Sequence, residues 1–200
     1  MRRALLAVSL ALASTAPAHA GLALNAAWQH ERERETDLPA SGYGVGMSID
    51  LGSYAYAGVN YSSLRTDSFE DAEDAAVGRL EYRSGGAELG VYWPWTDRLG
   101  LSVAGGYAES SIRGLDGFQH DRIDRLDGPT GYATLSYRVA PRLDFNVGRG
   151  YSYLGARPGW DSSAGLGLRV WRELWLDGGY WRGEGADGWN VGLRTAIPDR

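Results

Sequence analysis

Outside the first twenty residues, two histidines sit beside acids: His30 with Glu31 and Glu33 in WQHERE, and His120 with Asp121 in FQHDRID. A histidine near a carboxylate can act as a general base, because imidazole titrates near neutral pH. Neither lies in a His-x-Ser or comparable nucleophile pattern, so the plainer reading is two solvated loop residues and no catalytic group. The acidic stretch Asp67, Glu70, Asp71, Glu73 and Asp74 offers oxygen ligands to a divalent cation. It lacks the spacing of a calcium loop, so a solvated loop with no metal is expected. Seven further charges, Asp50, Glu88, Arg138, Asp144, Arg169, Asp177 and Arg194, fall between apolar residues at alternate positions. Their chemistry is either an internal ion-pair network or the lining of a polar channel. Arg157 and Arg182 are candidates for phosphate contact. The short Gly-x-Gly pieces have no helix behind them and are not nucleotide sites, and no cofactor is implied.

These residues need strands to position them. In RLDFNVGRGYSYL, Arg142–Leu154, every second residue is large and apolar or aromatic. A period of two is that of a β-strand with two unlike faces. Parity places Leu143, Phe145 and Val147 on the oily face, Asp144 and Asn146 on the other, and Arg149 on the oily one. Arg149 either snorkels along the oily face towards phosphate groups or is turned to the polar side by a bulge at Gly148 or Gly150, and the bulge is the favoured of the two.

The same unit recurs. Gly42–Leu64, Gly86–Ser110, Gly131–Gly155 and Ser163–Gly185 each read as alternating strand, short turn, alternating strand. Side is preserved if Val139 opposes Leu143, Arg138 opposes Asp144, Val170 opposes Leu174 and Leu51 opposes Ala55. Polar stretches separate the hairpins: His30–Ser41, Arg65–Ala76, Ile112–Thr130, Ala156–Ser162 and Glu184–Gly188. Gly21–His30 is a first strand and Trp189–Ile197 a last one. Four hairpins and two end strands make ten strands, with eight as the alternative count. Short turns at one end and long loops at the other are the bacterial outer-membrane arrangement.

Composition agrees. Glycine is 29 of 200 residues, and Trp and Tyr together number 20. The aromatics gather at strand ends: Trp28, Tyr43, Tyr61, Tyr107, Tyr151 and Trp189 near the loops, and Trp93, Trp95, Tyr137 and Trp171 near the turns. Two such girdles mark the boundaries of a bilayer, whereas a soluble lipocalin-like barrel has its oily face inward. No cysteine is present, which excludes a disulfide-stapled domain and an acylated lipoprotein. The basic residues are all arginine and the net charge is -5. An acidic chain without a basic stripe argues against nucleic acid as a partner. Arg2 and Arg3, the apolar run Leu5–Ala13 and Ala18-His19-Ala20 read as a secretory signal peptide cleaved after Ala20. The organisation is then signal peptide 1–20, barrel 21–197 and tail 198–200.

The signal peptide, the LxLxxGxxY hairpin arms and the alternating last strand together resemble the small Gram-negative outer-membrane β-barrel proteins, OmpA-, OmpX- or YfaZ-like. The resemblance is one of pattern over the whole chain after residue 20. It implies an antiparallel up-and-down transmembrane barrel in the bacterial outer membrane. It also implies contact with lipopolysaccharide and insertion by the barrel assembly machinery, which reads a terminal signal that Asn190–Ile197 fits in part. A monomer with a structural, adhesive or narrow-pore role and no catalysis is expected. A diffusion channel for small polar solutes is the first alternative, and a rim enzyme acting on lipid or peptide the second.

Overall fold

The computed structural model describes residues 21–67, 69–70, 77–115, 124–155 and 157–197. The expected signal peptide, His120, most of the acidic stretch and the tail lie outside these residues.

Ten long antiparallel strands close into a barrel. They are β1 (Leu22–Glu33), β2 (Pro39–Asp50), β3 (Ala55–Thr66), β5 (Val77–Pro94), β6 (Leu99–Leu115), β7 (Asp124–Ala140), β8 (Leu143–Leu154), β9 (Arg157–Trp171), β10 (Leu174–Gly183) and β11 (Ala186–Ile197). A two-residue rung, β4 (Phe69–Glu70), pairs with the start of β5 outside the barrel wall. Each strand pairs with its neighbours in sequence, apart from β4, and closure comes from β1 with β11 and β3 with β5. The count is ten, not eight.

The two tightest turns differ from the expected pairing by one residue. Arg138 does oppose Asp144, but Ala140 opposes Leu143, so Val139 is the extra residue of a bulge. Likewise Trp171 opposes Leu174 and Val170 is extra. A bulge shortens the turn to two residues, Pro141-Arg142 or Arg172-Glu173, while leaving both valines exposed on the outer face. At the β2–β3 turn, Gly52 has φ +112, a conformation that a side chain would strain.

Alternation sends one set of side chains out. Leu24, Val45, Met47, Ile49, Val59, Leu89, Val91, Val103, Phe145, Val147, Leu166, Leu168, Leu176, Val191 and Leu193 form an exposed apolar belt. Trp28, Tyr43, Tyr61, Tyr107 and Trp189 ring its loop end with Tyr151, and Trp93, Trp95, Tyr137 and Trp171 ring its turn end. Tyr153, Trp160 and Tyr180 join the first ring and Tyr54 the second.

The wall is uneven. Strand β5 has 18 residues and β6 and β7 have 17 each, against 12 for β1, β2, β3, β8 and β11. Much of the polar sequence expected to be loop is therefore strand, including 112–115, 124–130 and 157–162. In this extension the parity continues but polarity reverses. Leu64, Leu80 and Ile112 point inward and are buried, as is Leu154 at the top of β8. Arg65, Arg83, Glu109 and Arg113 point outward. The reversal explains why the sequence pattern hid it: alternation persists, but with the oily face on the other side.

Candidate functional site

The lumen is lined by the short and polar positions of each strand. Large side chains reach over the glycines beside them. A Cβ on Gly188 would lie 2.5 Å from the Trp181 ring, and one on Gly90 would lie 2.4 Å from the Tyr56 ring. A Cβ on Gly58 would come within 2.9 Å of Glu88 Oε1. These glycines are thus seats for neighbouring side chains, and the space they vacate is filled.

On one side of the lumen, Tyr132 on β7 donates a hydrogen bond to Glu88 on β5 at 2.5 Å. Tyr56 on β3 meets the Tyr132 hydroxyl at 3.1 Å. Three strands are thereby tied across the interior. On the other side, Arg194 donates to both oxygens of Asp177, at 2.8 and 3.2 Å, and its guanidinium lies 5.0 Å from the Trp175 ring centre. Arg194 is 3% exposed, and Trp181 above it is 1% exposed. Between them a cavity of about 70 Å³ is bordered by Asn25, Asn146, Asp177, Trp181, Asn190 and Arg194. That is room for about two waters at liquid density. Asn25 Oδ1 and Trp181 Nε1, both at its lining, are buried without a protein partner, which fits a wet cavity.

The seven charges expected to form one network divide into separate contacts. Arg138 bonds Asp144 at 3.3 Å near the turns, and Arg194 bonds Asp177. Glu88 takes a tyrosine instead of an arginine. Arg169 bonds the Arg172 carbonyl and Glu173 of its own turn, because the tight hairpin brings them nearer than the far wall. Asp50 sits at the turn end of β2, where its backbone N–H donates to Gly21.

His30 has a different setting from the one expected. Alternation puts it on the outer face and Glu31 and Glu33 on the inner one. Its Nδ1 lies 2.8 Å from Ser41 Oγ and its ring stacks on Trp189 at 5.6 Å. It belongs to the aromatic ring, and the adjacent acids do not orient it. Among the described residues no group of three or more His, Cys, Asp or Glu gathers in metal-binding geometry.

Arg149 faces out. The ladder is regular through Gly148, Arg149 and Gly150, which pair with Ser163, Ser162 and Asp161, so the expected bulge is absent. The guanidinium instead lies 5.1 Å from the Trp160 ring centre, and Trp160 packs against Tyr151 at 4.7 Å. Trp160 is one rung nearer the loops, opposite Tyr151, so the side chain climbs to the aromatic ring.

Sequence reasoning missed the outer wall of the extension. Glu81 points outward yet is 1% exposed. Arg65 donates through Nε and Nη2 to its Oε1 at 3.1 and 3.0 Å, and Arg83 pairs with its Oε2 at 2.6 Å. Ser63 donates to Oε1 at 3.4 Å. Burial works against the charged form of Glu81, but the Arg65 hydrogen bond and the charges of Arg83 and Arg65 outweigh it and hold its carboxyl below the usual range. Arg113 stands opposite Glu81 on β6 and is exposed. The available signal was the alternation of Arg79, Glu81 and Arg83 with Leu80 and Tyr82.

No family model matches the chain, and no curated protein matches it. Solved structures do. The NanC porin aligns with a TM-score of 0.54 at 8% identity, over 87% of this chain and 100% of that one. An outer membrane channel from Pseudomonas putida F1 aligns with a TM-score of 0.53 at 7% identity, over 90% and 96%. The translocator domain of the autotransporter NalP from Neisseria meningitidis aligns with a TM-score of 0.52 at 15% identity, over 88% and 89%. At such identities the likeness is one of fold: the closed antiparallel barrel of outer-membrane proteins.

Proposed function

We propose that this chain is a small integral outer-membrane β-barrel whose lumen is closed at rest, acting through its outer face and rim without catalysis. The observation that carries the reading is the exposed apolar belt between two aromatic rings, with polarity reversing above one of them. Water does not tolerate so much contiguous apolar surface, whereas lipid requires it, and barrel closure pairs the backbone groups that lipid cannot satisfy. The Tyr56–Tyr132–Glu88 tie and the Trp175–Arg194–Asp177 group support closure. Residence in the bacterial outer membrane, contact with its lipids, insertion by the barrel assembly machinery and a monomeric state are part of this proposal. The OmpA-, OmpX- or YfaZ-like subfamily remains a resemblance of pattern.

The test is to refold residues 21–200 into phosphatidylcholine vesicles, establish a heat-dependent gel shift, and measure planar-bilayer current. A shift without steady current is expected. Retention in the soluble periplasmic fraction with no heat-dependent shift would remove the membrane reading. Steady conductance that changes when Arg138 or Asp144 is neutralised would replace closure by a diffusion channel. That second reading draws on the wet cavity, and predicts that Tyr56→Ala with Tyr132→Ala opens a path on the opposite side of the lumen.

A further inference from the structure

We infer that the outer wall of β3, β5 and β6 carries a binding site for the phosphate groups of an anionic glycolipid in the leaflet at the loop end of the barrel. The inference rests on the membrane reading above. Arg65 and Arg83 pair with one carboxylate, Glu81, and Arg113 stands opposite it in register on the same outward-facing surface. Arg65, Glu81 and Arg113 lie on one rung, with Ser63, Arg83 and Ser111 on the rung below. Three positive charges and one negative leave the group with two net positive charges in a chain whose overall charge is -5. Such local concentration of arginine needs a counter-charge.

Glu81 makes the group a built site. It is desolvated and fully paired, and it holds Arg65 and Arg83 side by side, one on each oxygen. A guanidinium has five N–H donors. Arg65 uses two on Glu81 and Arg83 pairs through one nitrogen, so both retain donors for a second anion. Their side chains stay 64% and 43% exposed. Fixed guanidiniums with free edges suit the tetrahedral oxygens of a phosphate ester.

Depth selects the source of the phosphate. The rung below Ser63–Arg83 is Tyr61–Gly85, and the Tyr61 and Tyr43 rings lie 6.5 Å apart in the aromatic ring of the barrel. One outward step is two residues, about 7 Å along a strand. The arginines thus begin one step above the apolar boundary, at the level of lipid headgroups, and on the wall instead of a loop tip. A soluble anion has no need of a site at that height.

The test uses the refolded chain, residues 21–200, in phosphatidylcholine vesicles with or without diphosphoryl lipid A, with retention of the glycolipid measured after detergent extraction. Arg65→Gln, Arg83→Gln and Arg113→Gln are compared with the parent and with Arg142→Gln at the turn end. Each arginine near a charged surface contributes about fivefold, so the triple variant should retain the glycolipid roughly a hundredfold more weakly. Arg142→Gln should match the parent, and the parent's preference should fall with salt and with dephosphorylated lipid A. Equal retention by parent and triple variant, or by the phosphorylated and dephosphorylated glycolipid, overturns the inference. So does tighter binding of inositol hexakisphosphate than of the glycolipid by the detergent-solubilised parent, which would assign the site to a soluble polyanion. If the triple variant does not refold, the salt and dephosphorylation series on the parent still decides. A parent that inserts but shows no preference refutes this site alone. One that does not insert refutes the membrane reading with it.

Discussion

Leu89→Arg separates a membrane barrel from a soluble one by magnitude. Leu89 is 64% exposed on β5, midway between the two aromatic rings and opposite Ala57 and Gly105. Four residues above it Gly85 pairs with Tyr61 of the upper aromatic ring, and four below is Trp93 of the lower one. Those eight residues span about 27 Å along the strand at ~3.4 Å each. A strand tilt of about 40° reduces this to about 21 Å of height, close to the ~25 Å apolar band of outer-membrane barrels. Leu89 is therefore about 10 Å from either boundary, where a lipid-facing arginine costs about 2–4 kcal/mol. That is roughly a 30- to 900-fold loss in the folding equilibrium. Val139→Arg, at the turn-end boundary, should cost only about 0–1 kcal/mol. In a soluble barrel both changes would fall within about 0.5 kcal/mol of zero, since each replaces an exposed apolar residue by a solvated one. The assay is equilibrium urea unfolding from phosphatidylcholine vesicles, read by tryptophan fluorescence and by the heat-dependent gel shift. If Leu89→Arg and Val139→Arg cost the same within about 0.5 kcal/mol, the depth argument fails.

Other expectations follow from single contacts. Arg149 and Trp160 should show a coupling of about 0.5–1 kcal/mol in a double-mutant cycle with Arg149→Leu and Trp160→Ala, and additivity would deny the stacking. Gly188→Val should cost about 1–3 kcal/mol by crowding the His30 carbonyl and the Trp181 ring, whereas Gly131→Val, whose Cβ finds its nearest neighbour at 3.5 Å, should change little in the same urea titration. Glu81, with its carboxyl held below the usual carboxylate range by Arg65 and Arg83, should stabilise the fold fully above that usual range and lose its contribution as pH falls through its lowered folded-state value. Acid titration of unfolding should therefore be steeper below about pH 4.5 for the parent than for Glu81→Gln; parallel curves would show that the arginines do not hold the carboxylate.

Much of the architecture was legible because a two-residue period records an environment that differs on the two sides of a wall. The run from Leu143 to Val147 identifies its strand, its oily face and the pairing of Asp144 with Arg138. Arg149 was misjudged because a charge on an oily face suggests a bulge when the chain is read alone. Trp160, which lets it remain outside, comes from the next strand, eleven residues on. At His30 adjacency in sequence offered Glu31 and Glu33 as partners for a general base, but neighbours along a strand face opposite ways. The glycines were ambiguous for a similar reason. Gly90 signals empty space until Tyr56, thirty-four positions earlier, is seen lying across it.

By itself, then, the sequence determined the strands, the oily face and the aromatic boundaries, because each depends on local alternation and on which residue types suit which medium. Tertiary structure alone decided the rest. It set which lumen charges meet, how the interior is filled, where polarity reverses on the long strands, and that Glu81 gathers Arg65 and Arg83 on the outer wall. Those outcomes depend on lateral register between strands, and register places side chains from distant positions within a few ångströms without leaving a local mark.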